Sequence, residues 1–72
     1  MKEITAHGWH ASKSIAIVEE LKQNGYVLGK DFDWEYHKPK HDDITYQLLY
    51  NRHTVFRFYK DELATWFSLR YL

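Results

Sequence analysis

The chain has no cysteine, a single proline, a single methionine and three glycines. Without cysteine there is no disulfide to staple a small fold and no thiolate zinc site. So little proline and glycine leaves no room for a flexible linker or a low-complexity tract. Excess charge is missing too, since ten basic residues balance ten acidic ones. Domains that mainly grip phosphate backbone usually carry a basic surplus, so the balance disfavours that class. It also leaves little repulsion to oppose self-association near neutral pH. No apolar run approaches the roughly 18 residues of a membrane helix. The N-terminus lacks the basic-then-apolar pattern of a signal peptide, and the expectation is a soluble, cytoplasmic protein.

What the chain does have is aromatic residues: three Trp, six Tyr and four Phe, 18% of the total. Seventy-two residues make one domain, 1–72, and a chain of this size buries only about 60% of the surface it exposes when unfolded. Each large ring buries on the order of 150–250 Å², so a few rings supply most of a small core.

The most regular stretch is Asp31 to Tyr59. In Phe32-Asp33-Trp34-Glu35-Tyr36 apolar and acidic residues alternate, the period of a strand with one dry face. Ile44 to Tyr50 and Thr54 to Tyr59 are rich in the β-branched and aromatic residues that suit a pleated surface. The polar, proline-containing run His37 to Asp43 reads as a loop between them. Together these predict a three-stranded antiparallel meander. Parity then suggests a register: Tyr36 opposite Ile44, Trp34 opposite Tyr46 and Phe32 opposite Leu48. A three-residue loop, Asn51-Arg52-His53, places Tyr50 against Thr54, Leu48 against Phe56 and Tyr46 against Phe58. A two-residue turn would instead put Arg57 on the apolar face, because a one-residue slip flips every side chain. The expected inner face is Phe32, Trp34, Tyr36, Ile44, Tyr46, Leu48, Tyr50, Phe56 and Phe58. The outer face carries Asp33, Glu35, Thr45, Gln47, Leu49, Val55, Arg57 and Tyr59.

Two helices flank the meander. Ser12 or Ser14 can cap the first, whose apolar stripe is Ile15, Ile17, Val18 and Leu21. Asn24-Gly25 should close it, with Tyr26 reaching back to Leu21. Asp61 can cap the second, where Glu62 suits the positive end of the helix dipole. Its run of Leu63, Ala64, Trp66, Phe67, Leu69, Tyr71 and Leu72 exceeds one stripe, and a helix apolar nearly all round is buried on more than one side. Met1 to His10 admits two readings: a short strand at Glu3–Ala6 ended by Gly8, or a loosely ordered terminus. The expected fold is therefore α+β: helix, three-stranded antiparallel meander, helix, with an optional N-terminal strand and both helices on one sheet face. Adjacent pairing implies low contact order and fast folding.

Chemistry-bearing patterns are sparse. His7 and His10, and His37 and His41 beside Asp42 and Asp43, match no metal-ligand spacing, and surface histidine is the simpler account. Asp33, Glu35, Gln47, Arg57 and Tyr59 share the outer face, where cross-strand charge pairing is simpler than a catalytic cluster. Glycine-rich phosphate loops and serine-nucleophile motifs are absent. No cofactor, metal or catalytic residue is assigned.

The pattern Asp31-Phe32-x-Trp34, then Val55-Phe56-Arg57-Phe58, then Ala64-x-x-Phe67-x-Leu69-Arg70-Tyr71 resembles small uncharacterised proteins of tailed phages, including those infecting cyanobacteria. The likeness spans Asp31 to Tyr71 and implies a viral accessory protein acting in the host cytoplasm, with a host protein as a conceivable partner. The leading expectation is a non-enzymatic protein-interaction module that forms a homodimer or small homo-oligomer through the last helix, anchored by Trp66, Leu69 and Leu72. The alternative is nucleic-acid binding through the basic 37–41 loop and aromatic strands, with Lys38, Lys40 and Arg57 as contacts.

Overall fold

Phe56 and Phe58 sit at the centre of the molecule because their strand has a neighbour on each side. The computed structural model describes residues 1–72. In chain order it contains β1 (Lys2–His7), α1 (Ala11–Gln23), β2 (Phe32–His37), β3 (Lys40–His41), β4 (Leu48–Tyr50), β5 (His53–Phe58) and α2 (Asp61–Tyr71). The main sheet has the order β1-β5-β2, antiparallel throughout, and β3 and β4 form a separate two-stranded ribbon. The α+β class is as expected. The strand order is not.

The expected middle strand, Ile44 to Tyr50, lies outside the main sheet. β5 pairs directly with β2, so Trp34 faces Phe56 and Phe32 faces Phe58. The other flank of β5 is taken by β1, with Ile4 opposite Phe56 and Ala6 opposite Thr54. Turn chemistry explains the change. The Asp42 carboxylate accepts the amides of Ile44 and Thr45 at 2.8 and 2.9 Å, and Tyr46 adopts a left-handed φ of 60°. Ile44 to Gln47 is therefore a turn, because a side chain that satisfies local amides competes with a ladder. Ile44, Tyr46, Leu48 and Tyr50 leave the expected inner face and are exposed. Thr45, Gln47 and Leu49 leave the outer face for the ribbon, and β1 brings Glu3, Thr5 and His7 in their place. His53 is the first residue of β5 and not part of a loop. Pairing of the first strand with the last also overturns the expectation of low contact order.

Both helices pack on the same face of the sheet. Ile17, Val18 and Leu21 from α1, and Leu63, Ala64 and Phe67 from α2, join Phe32, Phe56, Phe58, Ala6 and Trp9 in one buried cluster. The Phe67 ring lies 4.7 Å from that of Phe56 and 4.9 Å from that of Phe58. Each buried Phe side chain is worth about 1.5–3 kcal/mol, which is how a cysteine-free chain of this size is held.

The end of α1 follows the expected pattern. Gly25 has φ 92°, its amide donates to the Lys22 carbonyl, and the Tyr26 amide donates to the Leu21 carbonyl at 3.1 Å. Those two bonds satisfy carbonyls that the helix end would otherwise orphan. The helix starts differ. His10 precedes α1 without a side-chain cap, and Ser14 is buried, its hydroxyl 2.6 Å from that of Thr54 on β5. Lys60 takes the capping position of α2, which makes Asp61 its first helical residue. Ile15 belongs to the exposed side of α1.

Candidate interaction surface: a β-ribbon arm and its neck

β2 and β5 do not stop where the main sheet stops. His37 faces His53, and Lys40 faces Tyr50 in the same register. Pro39, which has no amide to donate, interrupts the ladder between them. Beyond that the ribbon continues with a bulge, His41 facing Leu48, to a tip where Asp42 N–H donates to the Gln47 carbonyl at 2.8 Å. This arm, residues 38–52, helps make the molecule 45 Å long but only 22 Å across.

The arm is apolar where a surface ribbon should be polar. Ile44 is 88% exposed and Tyr46 79%, and Leu48 and Leu49 are each more than half exposed. β4 is also the one strand with no charged residue or histidine in it. Exposed strand edges are ordinarily guarded by charge or proline.

All five histidines gather around this arm. His7, His53 and His37 form one row across the three strands of the main sheet. The His37 and His53 rings stack at 4.7 Å and 12°, the Tyr50 ring meets His53 edge-on at 5.5 Å, and His7 lies 6.2 Å from His53. Arg52 Nη1 lies 2.6 Å from His10 Nε2, and His41 is on the ribbon itself. A metal ion lies in the ring plane of each imidazole that binds it. Stacked rings have no shared point of that kind, and no three His, Asp or Glu side chains are grouped to hold a metal. Lys38, Lys40 and Arg52 make this neck basic, whereas the tip carries Asp42 and Asp43. The two turn amides hold the Asp42 carboxyl below the usual aspartate range.

The outer sheet face is polar and neutralised. Arg57 lies 3.3 Å from Glu3 and 3.5 Å from Glu35, directly across from Asp33 on β2. Of the three expected phosphate contacts, Lys38 and Lys40 are thus on the arm, and Arg57 is elsewhere with two carboxylates around it. No pocket indents this face. Gln47, expected between Asp33 and Arg57, is at the arm tip.

At the far end of α2, Trp66 is half-buried against Tyr26 and Tyr71, with the Arg70 guanidinium 5.6 Å from its ring. Leu69 is 82% exposed and Leu72 60%. Arg70 pairs with Glu20 of α1 at 2.6 Å. The Tyr71 hydroxyl and Arg70 together hold the Glu20 carboxyl below its ordinary value. Asp31, buried before β2, accepts the Val27 amide at 2.8 Å and lies 3.3 Å from Lys60 Nζ. The Val27 bond first, and Lys60 after it, hold its carboxyl below the ordinary range.

Ile44, Tyr46 and Leu48 were expected in the core and Leu49 on the outer sheet face, so the arm is the feature sequence reasoning missed. Asp42, two residues before Ile44 and able to accept the amides of the turn that follows it, was the available signal.

No helix is long and apolar enough to cross a membrane. No family model matches the chain, and neither a curated protein nor a solved structure is similar to it.

Proposed function

We propose that the chain is a non-enzymatic, self-associating interaction module whose contact element is the β-ribbon arm. One observation carries this: Ile44, Tyr46, Leu48 and Leu49 are exposed together on a single protruding ribbon. Scattered apolar residues on a surface need no explanation, but a set concentrated on one protruding element marks a contact. Zero net charge removes a barrier to bringing copies together. Leu69 and Leu72 add a second, smaller patch, with Trp66 behind it. A tailed-phage origin, which the sequence resemblance implies, would put such a module in a host cytoplasm, with a host protein as a further partner. Sedimentation velocity tests the reading. Association should rise with concentration and weaken at least several-fold in Leu48→Ser. A chain that stays monomeric at high micromolar concentration refutes it.

Nucleic-acid binding is the second reading, favoured by the gathering of Lys38, Lys40 and Arg52 at the neck. Asp42 and Asp43 at the tip, and the carboxylates around Arg57, weigh against it. Fluorescence anisotropy at low salt decides, since electrostatic binding is strongest there.

A further inference from the structure

The arm carries its charges in order along its length. Asp42 and Asp43 share the tip with Ile44 and Tyr46, Leu48 and Leu49 follow on β4, and Lys38, Lys40 and Arg52 lie towards the neck. Such a ribbon is complementary to a copy of itself turned end for end. We propose that two copies pair across a two-fold axis with their arms side by side and antiparallel, the acidic tip of each on the basic neck of the other. This rests on the self-association reading and specifies its geometry.

Three observations select the arrangement. Arms laid parallel would put four carboxylates together at the tips and the basic necks against each other, and like charges in contact disfavour a complex. Antiparallel arms exchange both repulsions for attractions. β4, the strand of the arm without a charge, then lies at the two-fold axis, where an isologous contact places each residue near its own copy. β4 is the strand that tolerates this, because no charge on it is desolvated. The molecule is 45 Å long and 22 Å across with the arm at one end, so antiparallel arms direct the two helical bodies to opposite ends of the pair. Duplex nucleic acid fits the arm less well: the same two aspartates would meet phosphate wherever the tip entered a groove.

The chain has no cysteine, so one introduced thiol reports position without interference. Leu49→Cys lies mid-arm and exposed, and Leu69→Cys on α2 is the control. Under mild oxidation Leu49→Cys should give a disulfide-linked dimer faster than Leu69→Cys. Asp43→Lys, also exposed, should weaken association about tenfold at low salt, and the difference should shrink at high salt. Circular dichroism checks that each variant is folded. If the wild type associates but Leu69→Cys cross-links and Leu49→Cys does not, the crossed arms are wrong and self-association stands. If the wild type is monomeric, both fall. If a short fluorescent duplex binds and Lys38→Glu abolishes the binding while the chain stays monomeric, the arm belongs to nucleic acid and the proposal is overturned.

Discussion

The hydroxyls of Ser14 and Thr54 meet at 2.6 Å with both side chains fully buried, joining α1 to the central strand. Each satisfies the other in a place water does not reach. Ser14→Ala should leave the Thr54 hydroxyl short of its partner and destabilise the fold by about 1–3 kcal/mol. Ser14→Ala combined with Thr54→Val should cost less than the two single changes added together. Urea denaturation of all four proteins in the cycle measures the coupling, and additive effects would show that the pair does not act as one.

Phe67 is the second test of the core. Its ring is within 6.2 Å of those of Trp9, Phe56, Phe58 and Tyr71, so truncation opens a cavity walled by four aromatic rings. Phe67→Ala should cost about 3–5 kcal/mol. Since small domains have only about 5–15 kcal/mol in total, thermal melting should show a large fall or no folded baseline.

Acid should destabilise the protein in a defined direction. Asp31 and Asp42 both have carboxyl groups held below the ordinary aspartate value of about 3.9. A group whose folded pKa is depressed contributes stability that is complete above the unfolded pKa and lost as pH falls through the folded one. Stability should therefore hold from neutral pH down to about 4 and decline below it, with Glu20 acting in the same direction. Asp31→Asn should flatten part of that decline, as read from urea midpoints at several acidic pH values.

Tyr46 should separate stability from association. At φ 60° a tyrosine occupies a conformation that L-residues with large side chains avoid. Tyr46→Asn, which tolerates that backbone, should raise monomer stability by about 0.5–1 kcal/mol. The same change removes an exposed ring from the arm, so self-association should weaken. Thermal melting and sedimentation on one preparation should move in opposite directions.

Period-two alternation made β2 and the inner face of β5 legible, and glycine chemistry made the end of α1 legible. Which strand flanks β5 was not, because parity ranks registers between segments already assumed to be neighbours. Glu3-Ile4-Thr5-Ala6-His7 alternates as β2 does, yet its partner lies at the other end of the chain. The segment after Asp43 looked like a strand because Ile44, Tyr46, Leu48 and Tyr50 alternate correctly. Asp42 overrules that pattern through two hydrogen bonds. The candidate site was hidden by the same ambiguity: an alternating apolar run reads as core whether or not anything covers it. The helix-end patch at Trp66, Leu69 and Leu72 and the basic Lys38 and Lys40 of the neck were visible in advance.

β1 and β2 are not paired with each other; in the main sheet each is hydrogen-bonded to β5 alone. During synthesis β1 and β2 therefore have no sheet to join until the chain has emerged through Phe58. Until then Phe32 and Trp34 have no β5 to pair with, and Ile44 to Leu49 are already in solution. Synthesis passes through a stage in which the apolar residues of β1, α1 and β2 have no finished sheet to pack on, and it ends only when the last strand slots between the other two.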